Sequence, residues 1–129
     1  MQAHGLRLII VEDEPIIAMM VEEMAIELGW HVEGLADCEA GAAALLNTLH
    51  PDLALLDINL GSDSGLRVAE ICRGRGVPVV FMTGYPEAEI PPRCDNSPIL
   101  LKPFLPVELG RAAKRSLQSG PGALPCNHS

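Results

Sequence analysis

The sequence predicts an α/β fold in which helices cover both faces of a doubly wound, five-stranded parallel sheet. Short apolar runs without polar alternation recur along the chain, which is typical of parallel strands buried on both faces. Segments with helical spacing of apolar residues separate these runs, so strands and helices alternate. The 129 residues are enough for one domain with one core. The strand order 2-1-3-4-5 is one of the two common solutions for such a sheet.

The first elements follow from local patterns. Leu6 to Val11 predicts the first strand, and the apolar residues after it repeat at helical spacing until Gly29 ends the first helix. Trp30 to Leu35 predicts an edge strand. Cys38 to Leu49 is rich in alanine and predicts the second helix, with Asp37 as its N-cap.

The middle of the chain continues the alternation. Leu53 to Leu56 predicts a buried strand that ends at Asp57, and the polar segment from Asn59 to Ser64 predicts a loop. Leu66 to Cys72 predicts the third helix, which Gly74 and Gly76 are expected to stop. Val77 to Met82 predicts the fourth strand.

The last third contains two irregular segments. Gly84 to Asn96 should hold the fourth helix but contains three prolines, each of which costs ~3 kcal/mol inside a helix, so this helix is expected to be short or disordered. Ile99 to Leu101 predicts the fifth strand, and Pro106 begins a last helix that reaches about Leu117. The domain is therefore expected to span residues 1–118, with residues 119–129 as a disordered tail.

Charge and cysteine content exclude several functions. A net charge of −8 disfavours direct binding of nucleic acid. Arg111, Lys114 and Arg115 form either a local basic patch or a set of cations that favours a helix C-terminus. The four cysteines are widely spaced and predict no metal site, and no signal peptide or membrane span is present, so a cytoplasmic location is expected.

Polar side chains follow four of the predicted strands, at the point where each ends: Glu12 and Asp13, Asp57, Thr83, and Lys102. Ligands bind at this edge of an open parallel sheet. Three carboxylates that share a cleft repel one another, so protonation, a cation or both must compensate, and Mg²⁺ is a suitable cation because it prefers oxygen ligands. The sequence therefore predicts a magnesium site.

The neighbouring residues suit a phosphoryl group in the same cleft. Asn59 can add its backbone carbonyl to the metal ligands, Lys102 can pair with a phosphate oxygen, and the Thr83 hydroxyl can donate to another. A carboxylate in line with this group can act as a nucleophile. Gly84 either leaves room for the phosphoryl group or an attacking water, or serves only the backbone of its loop.

Four segments carry a family resemblance: "LIIVEDEP", "LALLDINLGSDSGL", "VVFMTGY" and "LLKPF". They resemble the receiver domains of two-component response regulators, which have a flavodoxin-like fold, and the resemblance extends from about Leu6 to Leu117. It implies that a histidine kinase phosphorylates Asp57. It also implies that Mg²⁺ binds Asp13, Asp57 and the Asn59 carbonyl.

The resemblance implies roles for the remaining site residues too. Glu12 would support the metal through water. Thr83 would move to contact the phosphoryl group, Lys102 would pair with it, and the Lys102–Pro103 peptide bond would be cis.

Two departures concern the switch that reads out phosphorylation. Many receivers carry an aromatic residue where this chain has Ile99, so the usual aromatic switch is absent, and Tyr85 is either its replacement or a loop anchor. The "FMTGY" motif resembles the "FAT GUY" subgroup, although Met82 replaces the alanine. That subgroup has a reduced fourth helix and often works with histidine kinases of the HWE or second-type family, and the readout would fall on Thr83, Gly84 and the segment that ends at Asn96.

Other functions fit less well. An aspartate-nucleophile phosphohydrolase would carry an Asp-x-Asp pattern after its first strand, and a flavin-binding module would need a Ser/Thr-rich loop where this chain has "EDEP". The working hypothesis is a stand-alone phosphoryl switch that assists its own phosphorylation and dephosphorylation, without a separate enzyme substrate. A phosphate sink and a phosphorylation-independent interaction module remain as alternatives.

Overall fold

Strands and helices alternate along the chain, and the main sheet contains five parallel strands in the order β2-β1-β3-β6-β7. The computed structural model describes residues 5–84 and 97–119. The strands are β1 (Arg7–Val11), β2 (His31–Ala36), β3 (Leu53–Asp57), β4 (Asn59–Leu60), β5 (Asp63–Ser64), β6 (Val79–Thr83) and β7 (Ile99–Leu101). The helices are α1 (Pro15–Glu27), α2 (Glu39–Thr48), α3 (Gly65–Gly74) and α4 (Pro106–Ser119). Without the two short strands β4 and β5, this is the predicted order 2-1-3-4-5, so the predicted fold is confirmed.

The sheet separates two apolar layers, which explains why its strands read as continuous apolar runs. Leu8 and Ile10 of β1 point into one layer, where α1 and α4 pack, and the intervening Ile9 and Val11 point into the other, where α2 and α3 pack. All four side chains are fully buried. Burial of such a side chain contributes roughly 1.5–3 kcal/mol, so neither face of β1 tolerates a polar residue at low cost.

Two of the predicted helix boundaries are wrong. The N-cap of α2 is Cys38, whose Sγ accepts a hydrogen bond from Gly41 N at 3.4 Å, because α2 begins at Glu39 and Asp37 lies one residue too early. Gly74 does not stop α3 but is its last residue. The left-handed residue that follows this helix is Gly76, with φ of +75°.

The segment after Asp57 is a hairpin and not the predicted loop. Asn59 pairs with Ser64 and Leu60 with Asp63 in an antiparallel ladder, which we call the β4–β5 hairpin. Gly61 lies in its turn with φ of +65°, a conformation that glycine adopts without strain. The hairpin connects the end of β3 directly to the start of α3.

Some predictions fall on residues outside the described ranges. The short or disordered fourth helix between Gly84 and Asn96 lies almost entirely there, as does Tyr85. The last helix extends slightly beyond Leu117, to Ser119, and the rest of the predicted tail is outside the described part. No helix among the described residues is long and apolar enough to span a lipid bilayer.

Candidate functional site

The polar residues predicted at the strand ends lie together at the C-terminal edge of the sheet. Backbone hydrogen bonds keep the chain in register just beyond the strands. Glu12 N donates to Ala36 O at 2.9 Å after β1, and Lys102 N donates to Thr83 O at 2.7 Å after β7. The strand ends thus fix the backbone from which the site's side chains project.

Three carboxylates form the acidic part of the site. Glu12, Asp13 and Asp57 each present a carboxylate oxygen, and these oxygens lie within 4.8 Å of one another. They adjoin a cleft of about 550 Å³. The residues that line the cleft are Asp13, Glu14, Asp57, Asn59, Gly61, Gly84 and Lys102.

Lys102 connects two of these carboxylates. Its Nζ lies 2.9 Å from Asp57 Oδ2 and 3.0 Å from Glu12 Oε1. The second oxygen of Asp57, Oδ1, accepts a hydrogen bond from Asn59 N at 2.9 Å. The side chains of Asp57 and Glu12 are 7% and 0% exposed, so the ammonium is paired with carboxylates that are largely removed from solvent.

Burial controls the protonation of this group. The pKa of Glu12 is raised from 4.5 to about 7; burial is the main cause, the hydrogen bond from Lys102 opposes it, and the neighbouring Asp57 adds to the rise. Burial on its own would lower the pKa of Lys102. The hydrogen bonds and charges of Asp57 and Glu12 outweigh that effect and raise the pKa of the ammonium, which therefore keeps its proton at neutral pH.

The residues expected to form the switch occupy different environments. Thr83 is buried at the end of β6, and Gly84 lines the cleft, where no described residue beyond its chain neighbours lies within 4 Å of the position of an added Cβ. Ile99 is 44% exposed on the edge strand β7. Lys102–Pro103 is a cis peptide bond.

Gly65 is a site residue that the sequence analysis missed. It is the first residue of α3, and a Cβ added there would overlap the carbonyl oxygen of Asp57 and lie 2.8 Å from its carbonyl carbon. Gly65 N also donates to Ile58 O at 2.8 Å. Only glycine lets α3 begin this close to the backbone of Asp57. The signal in the sequence was a glycine at a helix start shortly after a strand-end aspartate.

The carboxylate cluster fits Mg²⁺ as a ligand set. The three side chains are hard oxygen donors that converge on one point, and Mg²⁺ usually binds one or two carboxylates together with waters and phosphate oxygens. Gly61 adds space beside the cluster, since a Cβ there would lie 3.6 Å from Asp13 Oδ2.

Comparison with known proteins gives consistent matches. Residues 8–114 match the model of the response regulator receiver domain family. The phyllosphere-induced regulator PhyR of Methylorubrum extorquens is 34% identical over 114 residues, which are 85% of this chain and 43% of that protein. The chain spans about half the length, or less, of the curated relatives it matches first.

Solved structures agree with the sequence relatives. The receiver domain of PhyR from Erythrobacter litoralis has a TM-score of 0.80 at 30% identity, over 91% of this chain and 93% of that one. The receiver domain of the sensor histidine kinase PA1611 from Pseudomonas aeruginosa has a TM-score of 0.78 at 27% identity, over 89% and 99%, and was solved with a magnesium ion in its active-site cleft. This chain therefore belongs to the family of response regulator receiver domains of two-component signalling.

Proposed function

We propose that this receiver domain is a phosphoryl switch in which a histidine kinase phosphorylates Asp57. The observation that carries the proposal is the placement of Lys102 Nζ between Asp57 and Glu12, beside a cleft with room for a phosphoryl group. Mg²⁺ would be held by Asp13, Asp57 and the Asn59 carbonyl, with Glu12 acting through water. When bound, the metal supplies positive charge to the phosphoryl oxygens.

The residues of the chain then perform the transfer by position and charge. An Asp57 carboxylate oxygen forms a bond to phosphorus as the bond to the kinase histidine breaks, and the electron pair of that bond leaves with the imidazole nitrogen. The Lys102 ammonium lies within 2.9 Å of Asp57 and offsets the negative charge that the phosphoryl group brings. The Thr83 hydroxyl moves to donate a hydrogen bond to a phosphoryl oxygen. This movement of Thr83 would signal phosphorylation.

The readout would pass from Thr83 through Gly84 to the segment that ends at Asn96, and Tyr85 belongs to this proposal. The same domain would assist hydrolysis of its own acyl phosphate and act on no separate substrate. The "FAT GUY" assignment, with an HWE or second-type kinase as partner, stays a prediction because it depends on residues outside the described ranges. A cytoplasmic location is also part of the proposal, supported by free thiols at Cys38 and Cys72.

The downstream partner is proposed to be a protein. PhyR from Bartonella quintana, whose structure is 31% identical to this chain, is named an anti-anti-sigma factor. That name favours a protein partner over direct contact with DNA, in agreement with the net charge of −8. The partner itself would be found by comparing proteins captured by the phosphorylated and unphosphorylated forms.

Intact mass after incubation with acetyl phosphate tests the proposal. We expect a phosphoryl adduct on the wild type that requires Mg²⁺ and is absent from Asp57→Ala. Asp52→Ala is the matched control, because Asp52 also accepts a backbone hydrogen bond, from Arg7 N at 3.0 Å, but lies just before β3, whereas Asp57 is the last residue of that strand. Its adduct should equal that of the wild type.

Two results would contradict the proposal. Labelling of Asp57→Ala to the same extent as the wild type would place the phosphoryl group elsewhere. No adduct from acetyl phosphate or from a panel of histidine kinases would favour the phosphorylation-independent interaction module.

A phosphate sink differs from an output switch in its partners, since a sink would exchange phosphoryl groups with the kinase and capture no further protein.

A further inference from the structure

The β4–β5 hairpin begins two residues after Asp57 and carries the Asn59 carbonyl that we assign to Mg²⁺. Asn59 N also donates to Asp57 Oδ1 at 2.9 Å, so the hairpin touches the phosphorylation site directly. Any shift of the hairpin would therefore move a metal ligand and a hydrogen-bond donor to Asp57 together. What holds the hairpin in place thus bears on the affinity of the site for metal.

Asp63 fixes the far strand of this hairpin to another part of the molecule. Its Oδ2 accepts a hydrogen bond from Glu39 N at 2.9 Å, across a sequence separation of 24 residues. Glu39 is the first residue of α2, where backbone N–H groups have no acceptor within the helix and the helix dipole favours a negative charge. The side-chain oxygen of Asp63 therefore supplies an acceptor that the helix itself lacks at this N–H group.

The strand pairing of the hairpin links Asp63 to the residue that would bind the metal. Asp63 pairs with Leu60, and the adjacent pair joins Ser64 to Asn59. Ser64 in turn caps α3, because its Oγ accepts a hydrogen bond from Leu66 N at 3.1 Å. The hairpin is thus attached to α2 through Asp63 and to α3 through Ser64, while Leu60 of β4 is buried in the core. Loss of the first attachment would remove one of the contacts that hold β4 beside Asp57.

We propose that Asp63 is a positioning residue of the metal site, which acts by binding the hairpin to the N-terminus of α2 and touches neither the metal nor the phosphoryl group. This inference rests on the proposed Mg²⁺ site. It places part of the control of metal affinity in a helix that contributes no metal ligand.

Calorimetric titration with Mg²⁺ tests this role, without any phosphoryl donor. We expect Asp63→Ala to raise the Kd for Mg²⁺ about fivefold, the factor that corresponds to one net hydrogen bond of about 1 kcal/mol. Asp63→Asn keeps an acceptor oxygen and should stay close to the wild type. Asp52→Ala, which removes a similar carboxylate–backbone hydrogen bond at the other end of the sheet, should leave the Kd unchanged.

Hydrogen exchange in the absence of metal gives a second readout. The Glu39 amide should lose protection in Asp63→Ala and keep it in Asp63→Asn, while amides of the β3 core stay protected in both variants. This pattern would distinguish release of the hairpin from general unfolding.

Three outcomes would overturn the inference. A wild-type Kd in Asp63→Ala would show that the hairpin needs no such attachment. Equal loss of affinity in Asp63→Ala and Asp63→Asn would assign the effect to charge and not to position. Failure of the wild-type protein to bind Mg²⁺ would overturn this inference and the proposed function together, whereas the first two outcomes would leave the proposed function standing.

Discussion

Gly65→Ala isolates the close contact between α3 and the backbone of Asp57. Helix propensity alone favours this change, because alanine stabilises a helix relative to glycine by roughly 0.5–1 kcal/mol. The backbone of Gly65 is not in the left-handed region, so alanine meets no conformational barrier there. Any loss of stability must therefore come from what the added methyl group contacts.

The structure gives the size of that loss. The added Cβ would overlap the Asp57 carbonyl oxygen and lie 3.1 Å from Ile58 Cα, and both neighbours are backbone atoms that cannot rotate away. Overpacking of this kind costs about 1–3 kcal/mol. Weakening of the Gly65 N to Ile58 O hydrogen bond adds about 1 kcal/mol. After the helix-propensity gain of roughly 0.5–1 kcal/mol is subtracted, we expect the free energy of unfolding to fall by about 1–3.5 kcal/mol, which a domain of ordinary stability survives.

Gly74→Ala provides the matched control within the same helix. Outside its own helix, a Cβ at Gly74 would have no neighbour within 4 Å among the residues that the structure describes, so this variant should be as stable as the wild type or gain up to about 1 kcal/mol. Urea unfolding followed by the fluorescence of Trp30, the single and buried tryptophan, measures both variants. Free energies of unfolding that agree within about 0.5 kcal/mol for the two variants would refute the steric argument.

Two further predictions concern charge in the site. Because the folded-state pKa of Glu12 is raised from 4.5 to about 7, folding favours its protonated form. The resulting contribution to the free energy of unfolding is fully present below pH 4.5 and is lost as pH rises through 7. In EDTA, the free energy of unfolding of the wild type relative to Glu12→Gln should therefore fall by about 3 kcal/mol between pH 4.5 and 8, and a constant difference would contradict the shift. Lys102→Met leaves two buried carboxylates without their cation and should cost about 3 kcal/mol at pH 8 but less at pH 5, where Glu12 takes up a proton. Urea titrations at both values check this, and equal losses would argue against electrostatic coupling of Lys102 to Glu12.

The strands could be predicted because every position of their central members is buried. All five residues of β3 are buried, and so are those of β6. Their apolar runs therefore indicated strands that are covered on both faces. The ends of the strands could be recognised in the sequence for the same reason, since a polar side chain interrupts an otherwise continuous apolar run. Glu12, Asp57, Thr83 and Lys102 could therefore be placed at one edge before their contacts were known.

Contacts between elements distant in sequence could not be predicted in this way. Propensity favours Asp37 as the N-cap of α2, yet the carboxylate at this helix end comes from Asp63, and Cys38 supplies the local acceptor. The role of Gly65 depends on how closely α3 approaches Asp57, which no local pattern encodes. Gly74 was misread because a glycine near a helix end resembles a stop signal whether or not its backbone turns left-handed.

The ion pairs of Lys102 also have a consequence for synthesis of the chain on the ribosome. Lys102 follows Glu12 by 90 residues and Asp57 by 45, so the two carboxylates emerge first and remain without their cation until β7 has been translated. An incomplete nascent chain would hold repelling acids at the end of its central strands. The ion pairs of the cleft are thus completed only when the C-terminal part of the sheet docks.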